Sequence, residues 1–194
     1  MGKNRLEAFS DGVLAIIITI MVLELKAPQG AELADLQPLL PVFLSYVLSF
    51  TYIGIYWNNH HHLLHATKQV SAGILWANLH LLFWLSLLPF ATAWMGENHA
   101  APIPTSAYGA VLLMAGVAYY VLQHFILRTQ DPRSAFAAEF RRDWKGNLSP
   151  VLYIVAIPLA FVNPWIANAI YTVVALWWIV PDRRIERALT GRAE

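Results

Sequence analysis

Cysteine is absent from the 194-residue chain, and charged residues make up only 13% of it. The absence of cysteine excludes a disulfide framework, a thiolate zinc site and a thiol nucleophile. An ordinary soluble domain carries about 25% charged residues, whereas this chain is 58% hydrophobic and 13% aromatic. These proportions exclude a soluble globular domain and a disordered chain, and they predict a membrane protein in a lipid bilayer. A net charge of +1 gives no reason to expect nucleic acid as a partner.

Charged residues are missing from four windows, residues 36–67, 69–96, 98–127 and 146–181. Each of the first three is long enough for one membrane-spanning helix, which needs about 20 residues. Asn163-Pro164 divides the fourth, because Asn is a good N-cap and Pro a good first helical residue. With an N-terminal helix, residues 1–194 are predicted to form one all-α membrane domain of six transmembrane helices. The expected helices are residues 4–26, 37–63, 71–95, 105–128, 148–162 and 165–180.

The N-terminal helix is the least ordinary of the six. Its apolar run, residues 13–23, is too short to span a bilayer unless the helix begins near Asn4. That start places Arg5, Glu7 and Asp11 in or near the membrane. Acidic residues at this position also argue against a cleaved signal peptide.

The lysine and arginine residues are distributed unevenly between the two sides of the membrane. Of the 13, Lys26 alone falls in the connections after the first, third and fifth helices. Basic residues favour the cytoplasmic side, so both termini are predicted to be cytoplasmic. Residues 131–145 carry aromatic residues beside basic ones, which suggests an amphipathic helix in the headgroup region; a solvated linker is the alternative.

Polar residues at the start of the first helix need partners. A charge at bilayer depth costs about 2.5–3.5 kcal/mol unless it is paired or hydrated. Arg5 and Asp11 are about 240° apart around a helix, so they cannot pair with each other. The second helix ends at the same side with Trp57, His60 and His61, and a bond from an indole or imidazole would satisfy Asp11.

No motif in the chain indicates a catalytic residue or a metal site. His61 and His65 have the i, i+4 spacing of zinc ligands, but no Cys, Asp or Glu lies close to them. A structural or proton-sensitive role for these histidines is therefore favoured over metal binding. The G-x-S-x-G motif is absent, and Ser10 has no base at motif spacing. The sequence predicts a protein that is not an enzyme.

Beyond Asp11, the first helix carries a stripe of Gly12, Ile16, Thr19 and Leu23, with Ile20 beside it. Spacing alone favours a lipid-facing surface or a packing seam. The alternative is a pore lining in which aliphatic side chains form a dewetting constriction. One helix cannot enclose a pore, so this alternative requires a symmetric oligomer. The T-V-G-Y-G sequence, which forms a carbonyl filter in potassium channels, is absent from this chain.

Three segments resemble signatures of the transmembrane protein 175 family, the lysosomal and prokaryotic potassium channels. The first is Arg5-x-x-x-Phe9-Ser10-Asp11 in the first helix. The second is Trp57-x-Asn59-His60-His61 in the second helix. The third is Asn78-x-x-x-x-Phe83-x-x-Ser86-Leu87-x-Pro89-Phe90 in the third helix. The six-helix count without a P-loop agrees with the resemblance.

The resemblance implies a prokaryotic, single-repeat member that forms a homotetramer around its first helices in the plasma membrane. K⁺ would be the permeant ion, with no cofactor. Ile16 would form the narrowest point of the pore, with Ile20 and Leu23 also facing inward and Thr19 providing a polar ring. The motif residues would form a supporting network that holds the first helix: Arg5, Phe9, Ser10, Asp11, Trp57, His60 and His61.

Two other functional classes stay open. A proton-coupled or proton-permeable transporter would use a titratable residue such as Asp11, Glu24 or a histidine. The first helix has no Pro or Gly interruption near its middle, which argues against a transporter. A non-conducting membrane scaffold would need no polar residue in the stripe.

Overall fold

The computed structural model describes residues 2–67, 69–130 and 144–179. All regular structure in these ranges is helical, without strands, which confirms the all-α fold. A 3-10 helix, Leu33–Leu39, precedes the second α-helix. The α-helices are α1 Lys3–Leu23, α2 Leu40–His65, α3 Ala72–Ser86, α4 Leu88–Glu97, α5 Pro102–Leu127, α6 Trp144–Val162 and α7 Pro164–Ile179.

The described helices group into six apolar units. Five helical stretches are long and apolar enough to cross a membrane, with α3 and α4 together forming one stretch of 26 residues. The sixth unit, α7, is apolar but has only 16 residues. Asn163 caps this helix, because its Oδ1 accepts a hydrogen bond of 3.0 Å from the Trp165 amide.

The expected single helix at residues 71–95 is wrong in one respect, since it is divided at Leu87. Pro89 lies in the first turn of α4, and a proline has no amide hydrogen to donate to the carbonyl four residues earlier. The break therefore follows from Pro89. It separates the apolar α3 from the shorter α4, which packs against α2 and α5.

The expected interfacial helix at residues 131–145 requires a correction at its end. Residues 131–143 lie outside the described part of the chain. Trp144 and Lys145 belong to α6, which begins before the expected residue 148. The Trp144 ring packs against Trp177 with a centroid distance of 4.4 Å, and Lys145 Nζ donates to the Trp177 carbonyl. These two residues therefore join α6 to α7.

Small and hydroxyl-bearing residues hold the bundle together, as is usual where apolar burial cannot drive helix association. Gly109 on α5 allows close approach of α7, because a Cβ at this position would lie 2.0 Å from the Tyr171 hydroxyl oxygen. Ser49 on α2 hydrogen-bonds with Thr92 on α4 at 2.6 Å and with Tyr108 on α5 at 3.0 Å. Tyr52 donates to the Tyr171 carbonyl at 2.7 Å, which ties α2 to α7.

The far ends of α1 and α4 are joined by an ion pair. Lys26 Nζ lies 3.5 Å from Glu97 Oε1, and both side chains are largely exposed. Exposed pairs of this kind contribute at most about 1 kcal/mol, so this pair orients the two side chains more than it stabilises the fold.

Candidate functional site

Helix α1 packs against α2, α3 and α4 through one face only. The buried residues of that face recur at helical spacing: Leu6, Ser10, Leu14, Ile17 and Met21. Each is at most 3% exposed. This face fixes the rotation of α1 in the protomer and thereby decides which residues point away from it.

The stripe that begins at Gly12 lies on the opposite, exposed face of α1. Ile16 is 59% exposed, Ile20 42% and Leu23 74%. A packing seam within the protomer is therefore excluded for these residues. A face of this kind on a membrane-spanning helix contacts either lipid or another copy of the chain.

Thr19 is the hydroxyl-bearing residue of the stripe, and its side chain is exposed. Its Oγ1 donates a hydrogen bond of 2.9 Å to the Ala15 carbonyl of the same helix. A hydroxyl group carries one donor hydrogen and two acceptor lone pairs. With the hydrogen used inside the helix, the outward side of the oxygen is left to accept a donor or a cation.

A groove of about 470 Å³ runs beside the stripe, between α1 and α4. Ile16 and Ile20 form one wall, and Pro89 and Phe90 form the other, with Glu24 at one end. Phe90 is 66% exposed. Apart from Ser86 and Glu24, the residues that line the groove are apolar, so the groove suits an apolar neighbour.

A buried polar chain anchors α1 to α2 and α3. Asn78 Nδ2 donates to Ser10 Oγ at 3.0 Å, and Ser10 Oγ donates to the Leu6 carbonyl at 2.9 Å. His60 Nε2 lies 2.6 Å from Asn78 Oδ1. Because an amide oxygen can only accept, this histidine nitrogen carries the proton. All three linked side chains are at most 2% exposed.

Asn78 belongs to the third motif, and its spacing in the sequence assigns it no role. It is the central member of the buried chain, since it bonds to both Ser10 and His60. The feature of the sequence that indicates a role for Asn78 is its carboxamide, which lies between Ala77 and Leu79 in an apolar helix. A polar group at that depth needs hydrogen-bond partners on another helix.

Asp11 bonds to the second motif on the exposed side of the protomer. Trp57 Nε1 donates to Asp11 Oδ1 at 3.0 Å. The Trp57 ring stacks on His61 at a centroid distance of 6.3 Å, and His61 stacks on His65 at 6.1 Å. These aromatic residues form a row along the outer face of α2 that ends on the α1 carboxylate.

Arg5 and Phe9, the other motif residues of α1, belong neither to the buried polar chain of Ser10 nor to the aromatic row that ends on Asp11. Arg5 is exposed and forms no side-chain hydrogen bond or ion pair with the described residues. Phe9 is 48% exposed. Lys3, which was not among the expected network residues, links α1 to α2, since its Nζ donates to the His65 carbonyl and lies 3.9 Å from Glu7 Oε1.

Within the described ranges, no group of three or more His, Cys, Asp or Glu side chains could hold a metal ion. A rotationally fixed membrane helix presents an apolar surface with one accepting hydroxyl oxygen, next to an indole–carboxylate bond. Such a surface could exclude water and still let a partly hydrated cation pass.

Comparison with known proteins extends the resemblance over the whole chain. The family model described as the endosomal/lysosomal potassium channel TMEM175 matches residues 5–89, which cover nearly all of α1, then α2, α3 and the start of α4. A potassium channel of a Chryseobacterium species is 53% identical over 189 residues, covering 97% of this chain and 98% of that protein. The human endosomal/lysosomal proton channel TMEM175 is 38% identical over 96 residues, 43% of this chain and 19% of that protein.

A solved structure is similar over nearly the full length. It is the crystal structure of a lysosomal potassium-selective channel TMEM175 homolog from Chamaesiphon minutus, with a TM-score of 0.76 and 28% identity. The match covers 94% of this chain and 97% of that chain. The helical arrangement therefore agrees from α1 to α7.

Proposed function

Because the chain belongs to the TMEM175 family of ion channels, we propose that it is a potassium-selective channel of a prokaryotic plasma membrane. One observation carries the proposal: a membrane helix is fixed by its buried face, while the face with Ile16, Thr19 and Leu23 is exposed. The names of the Chryseobacterium and Chamaesiphon relatives support potassium as the permeant ion.

The proposed assembly is a homotetramer in which four α1 helices surround the pore. One α1 cannot enclose a channel, whereas a closed symmetric ring of identical faces can. The apolar groove between α1 and α4 supports this assembly, since its exposed Ile20 and Phe90 suit a neighbouring subunit.

In this assembly Ile16 forms the narrowest, dewetting ring. Aliphatic side chains offer nothing to replace the water around an ion, so passage depends on the width and wetting of the ring. Potassium is larger and more weakly hydrated than sodium and therefore crosses at a lower energy. Thr19, one turn further, contributes the hydroxyl oxygen that can contact a partly dehydrated ion. Ile20 and Leu23 continue the apolar lining.

The anchors on the other face of α1 serve the pore indirectly. The chain from Ser10 through Asn78 to His60 sets the rotation of α1, and the Asp11–Trp57 bond holds the same helix from its outer side. A rotation of 100° moves the lining by one residue. The network is therefore proposed to position Ile16 and not to meet ions itself.

We propose that both termini face the cytoplasm, on the distribution of Lys and Arg. The absence of cysteine makes the test direct, since a single introduced cysteine is then the only thiol. Ala27→Cys should react with an impermeant reagent from outside sealed cells, and Gln69→Cys only after permeabilisation. The reverse pattern would overturn this orientation.

A proton-permeable or proton-coupled transporter is the second candidate function. It is favoured by one observation, the row from Asp11 through Trp57 to His61 and His65, which places titratable groups beside α1. The human relative is named a proton channel.

Ion flux in proteoliposomes separates the candidates. With potassium on one side and sodium on the other, the proposal expects a passive current whose reversal potential favours potassium. A reversal potential that follows an imposed proton gradient would favour the second candidate, and coupled uptake would identify a transporter. Vesicles without protein supply the baseline. A purified protein with native mass of a monomer would contradict the tetramer.

A further inference from the structure

The first residue of α1, Lys3, is bonded to the last residue of α2. Its Nζ donates to the His65 carbonyl and lies 3.9 Å from Glu7 Oε1. The Lys3 and Glu7 side chains are 29% and 26% exposed, so both lie partly sheltered against the protomer. Arg5, only two residues later, is exposed and makes no side-chain bond with the described residues. The lysine, and not the arginine, therefore connects the start of α1 to α2.

The bond is favourable for α2 and unfavourable for α1 taken alone. A cation is repelled by the positive pole at the start of a helix and attracted by the negative pole at its end. The His65 carbonyl is one of the last four of α2, which have no partner within that helix. The stability of α1 by itself therefore does not explain the position of Lys3, whereas a link between the two helices does.

The end of α2 is a fixed support for this link. The next carbonyl, that of Ala66, accepts a hydrogen bond of 2.8 Å from Gln130 Nε2, just after α5. Leu63 and Leu64 in the last turn of α2 are at most 1% exposed. A bond to this end therefore ties the start of α1 to the body of the protomer.

Ser10 divides α1 into two arms. It is fully buried and accepts a hydrogen bond of 3.0 Å from Asn78, so α1 is held at this point. Lys3 lies seven residues before Ser10, and Ile16 lies six residues after it. At 1.5 Å per residue, the two arms are about 10 Å and about 9 Å long. Because α1 is one continuous helix, a tilt that displaces one arm displaces the other in the opposite direction by a similar distance.

We propose that Lys3 is a positioning residue that sets the width of the Ile16 ring. The inference rests on the proposed function, since the ring exists only in the assembled channel. Lys3 lies about 140° around the helix from Ile16, so it acts through the tilt of α1 and does not face the ring. Without Lys3, the buried face still packs, but apolar contacts are non-directional and permit small tilts.

The expected effect of a freer tilt has a definite sign. An apolar ring passes ions in its wider, wetted arrangements and few ions in its narrower ones. The average current is therefore dominated by the wide arrangements, and freer tilting of α1 raises it. A wider ring also strips less water from an ion, so the preference for potassium over sodium falls.

Single-channel recordings of the full chain in planar bilayers test the inference. Lys3→Met removes the ammonium group, and we expect about twofold higher current and about twofold lower preference for potassium under bi-ionic conditions. Lys3→Arg keeps a cationic donor and should behave like the wild type. Recording at about 1 M salt, where the Debye length is about 3 Å, removes distant effects of the lost charge. Wild-type current and reversal potential in Lys3→Met would overturn the inference.

Arg128→Met is the matched control for the lost charge. Arg128 is an exposed basic residue at the end of α5, and its replacement should leave current and reversal potential unchanged. An equal change in Lys3→Met and Arg128→Met would assign the effect to surface charge and overturn the positioning role. The unfolding midpoint of Lys3→Met should stay close to that of the wild type, since exposed ion pairs contribute little stability.

Disulfide formation between copies gives a second measurement that does not depend on current. Ile16→Cys introduces the only thiol of the chain, and its oxidation rate reports how often neighbouring α1 helices meet at the ring. Adding Lys3→Met should raise this rate at least about twofold, and an unchanged rate would contradict the freer tilt. A wild type that neither conducts nor cross-links through Ile16→Cys would instead overturn the proposed function. Selective wild-type conduction with a wild-type Lys3→Met would overturn the role of Lys3 alone.

Discussion

The two faces of α1 are similar in composition and opposite in environment. Both are mainly aliphatic and each carries one hydroxyl group, yet Leu14 and Ile17 are at most 3% exposed while Ile16 is 59% exposed. The hydroxyls differ in their partners. Ser10 accepts from Asn78 on another helix, whereas Thr19 bonds only within α1. A buried polar bond to a second helix therefore identifies the face that holds α1, and hydrophobicity alone does not.

The largest expected effect comes from removing Asn78, the hydrogen-bond partner of Ser10 on the buried face of α1. Asn78→Leu leaves Ser10 and His60 without their shared hydrogen-bond partner. Each unmet buried group costs about 1–3 kcal/mol, so we expect a loss of about 2–4 kcal/mol of stability. The midpoint of unfolding in detergent measures it. Leu79→Ala, on an exposed site of the same helix, should change it far less. Equal midpoints for Asn78→Leu and the wild type would contradict the anchoring role.

The exposed face is tested at its proposed narrowest point. Ile16→Asn wets the ring, so we expect conductance to rise several-fold, up to about tenfold, with loss of the preference for potassium over sodium. Single-channel current and the bi-ionic reversal potential measure the two effects. Val22→Asn is the matched control, because Val22 is exposed on α1 but lies about 240° around the helix from Ile16. Equal effects of both substitutions would remove Ile16 from the ion path.

Asp11 lies between the two faces of α1 and accepts a hydrogen bond from Trp57 of α2. Asp11→Asn and Trp57→Phe each weaken it, and we expect a coupling of about 1 kcal/mol between them in a double-mutant cycle of stability. The bond lies on the exposed side, so its loss should be smaller than that of Asn78. Strictly additive effects would mean that the bond contributes nothing to stability.

The smallest expected effect concerns Thr19. Thr19→Val keeps the shape and removes the oxygen, so the potassium preference should fall by about twofold with little change in assembly. Thr19→Ser keeps the hydroxyl and should behave like the wild type. Reversal potentials under bi-ionic conditions distinguish these variants. A loss of selectivity in Thr19→Ser as large as in Thr19→Val would assign the effect to packing.

The positions of the membrane segments and of the hairpin could be predicted from local patterns in the sequence. Gaps between charges locate the membrane segments because charges are expelled from the bilayer, and Asn163 ends one arm of the hairpin because it caps the next. The period of α1 alone groups Gly12, Ile16 and Thr19 on one face. It could not decide what that face contacts, since the burial that distinguishes the faces comes from other helices.

Other features depend on contacts that spacing does not encode. The division at Leu87 lies inside a window without charges, so charge gaps could not report it, although Pro89 is a local cause. Arg5 and Lys3 have similar sequence positions, and only the packing of α2 decides that Lys3 reaches the His65 carbonyl. The pairing of Asn78 with Ser10 joins residues 68 positions apart.

The ion pair between Lys26 and Glu97 has an electrostatic consequence for the far end of α1. The ion pair holds Lys26, the basic residue nearest to Glu24 in sequence, against Glu97 of α4. Glu24 itself is exposed and has no ion pair among the described residues. The carboxyl end of α1 adds the negative pole of the helix dipole. In the proposed tetramer, four such ends would enrich cations in the pore entrance above their bulk concentration. At low salt, the charge of Glu24 would then keep the cation concentration at the pore entrance high. At high salt, screening would remove this effect of Glu24.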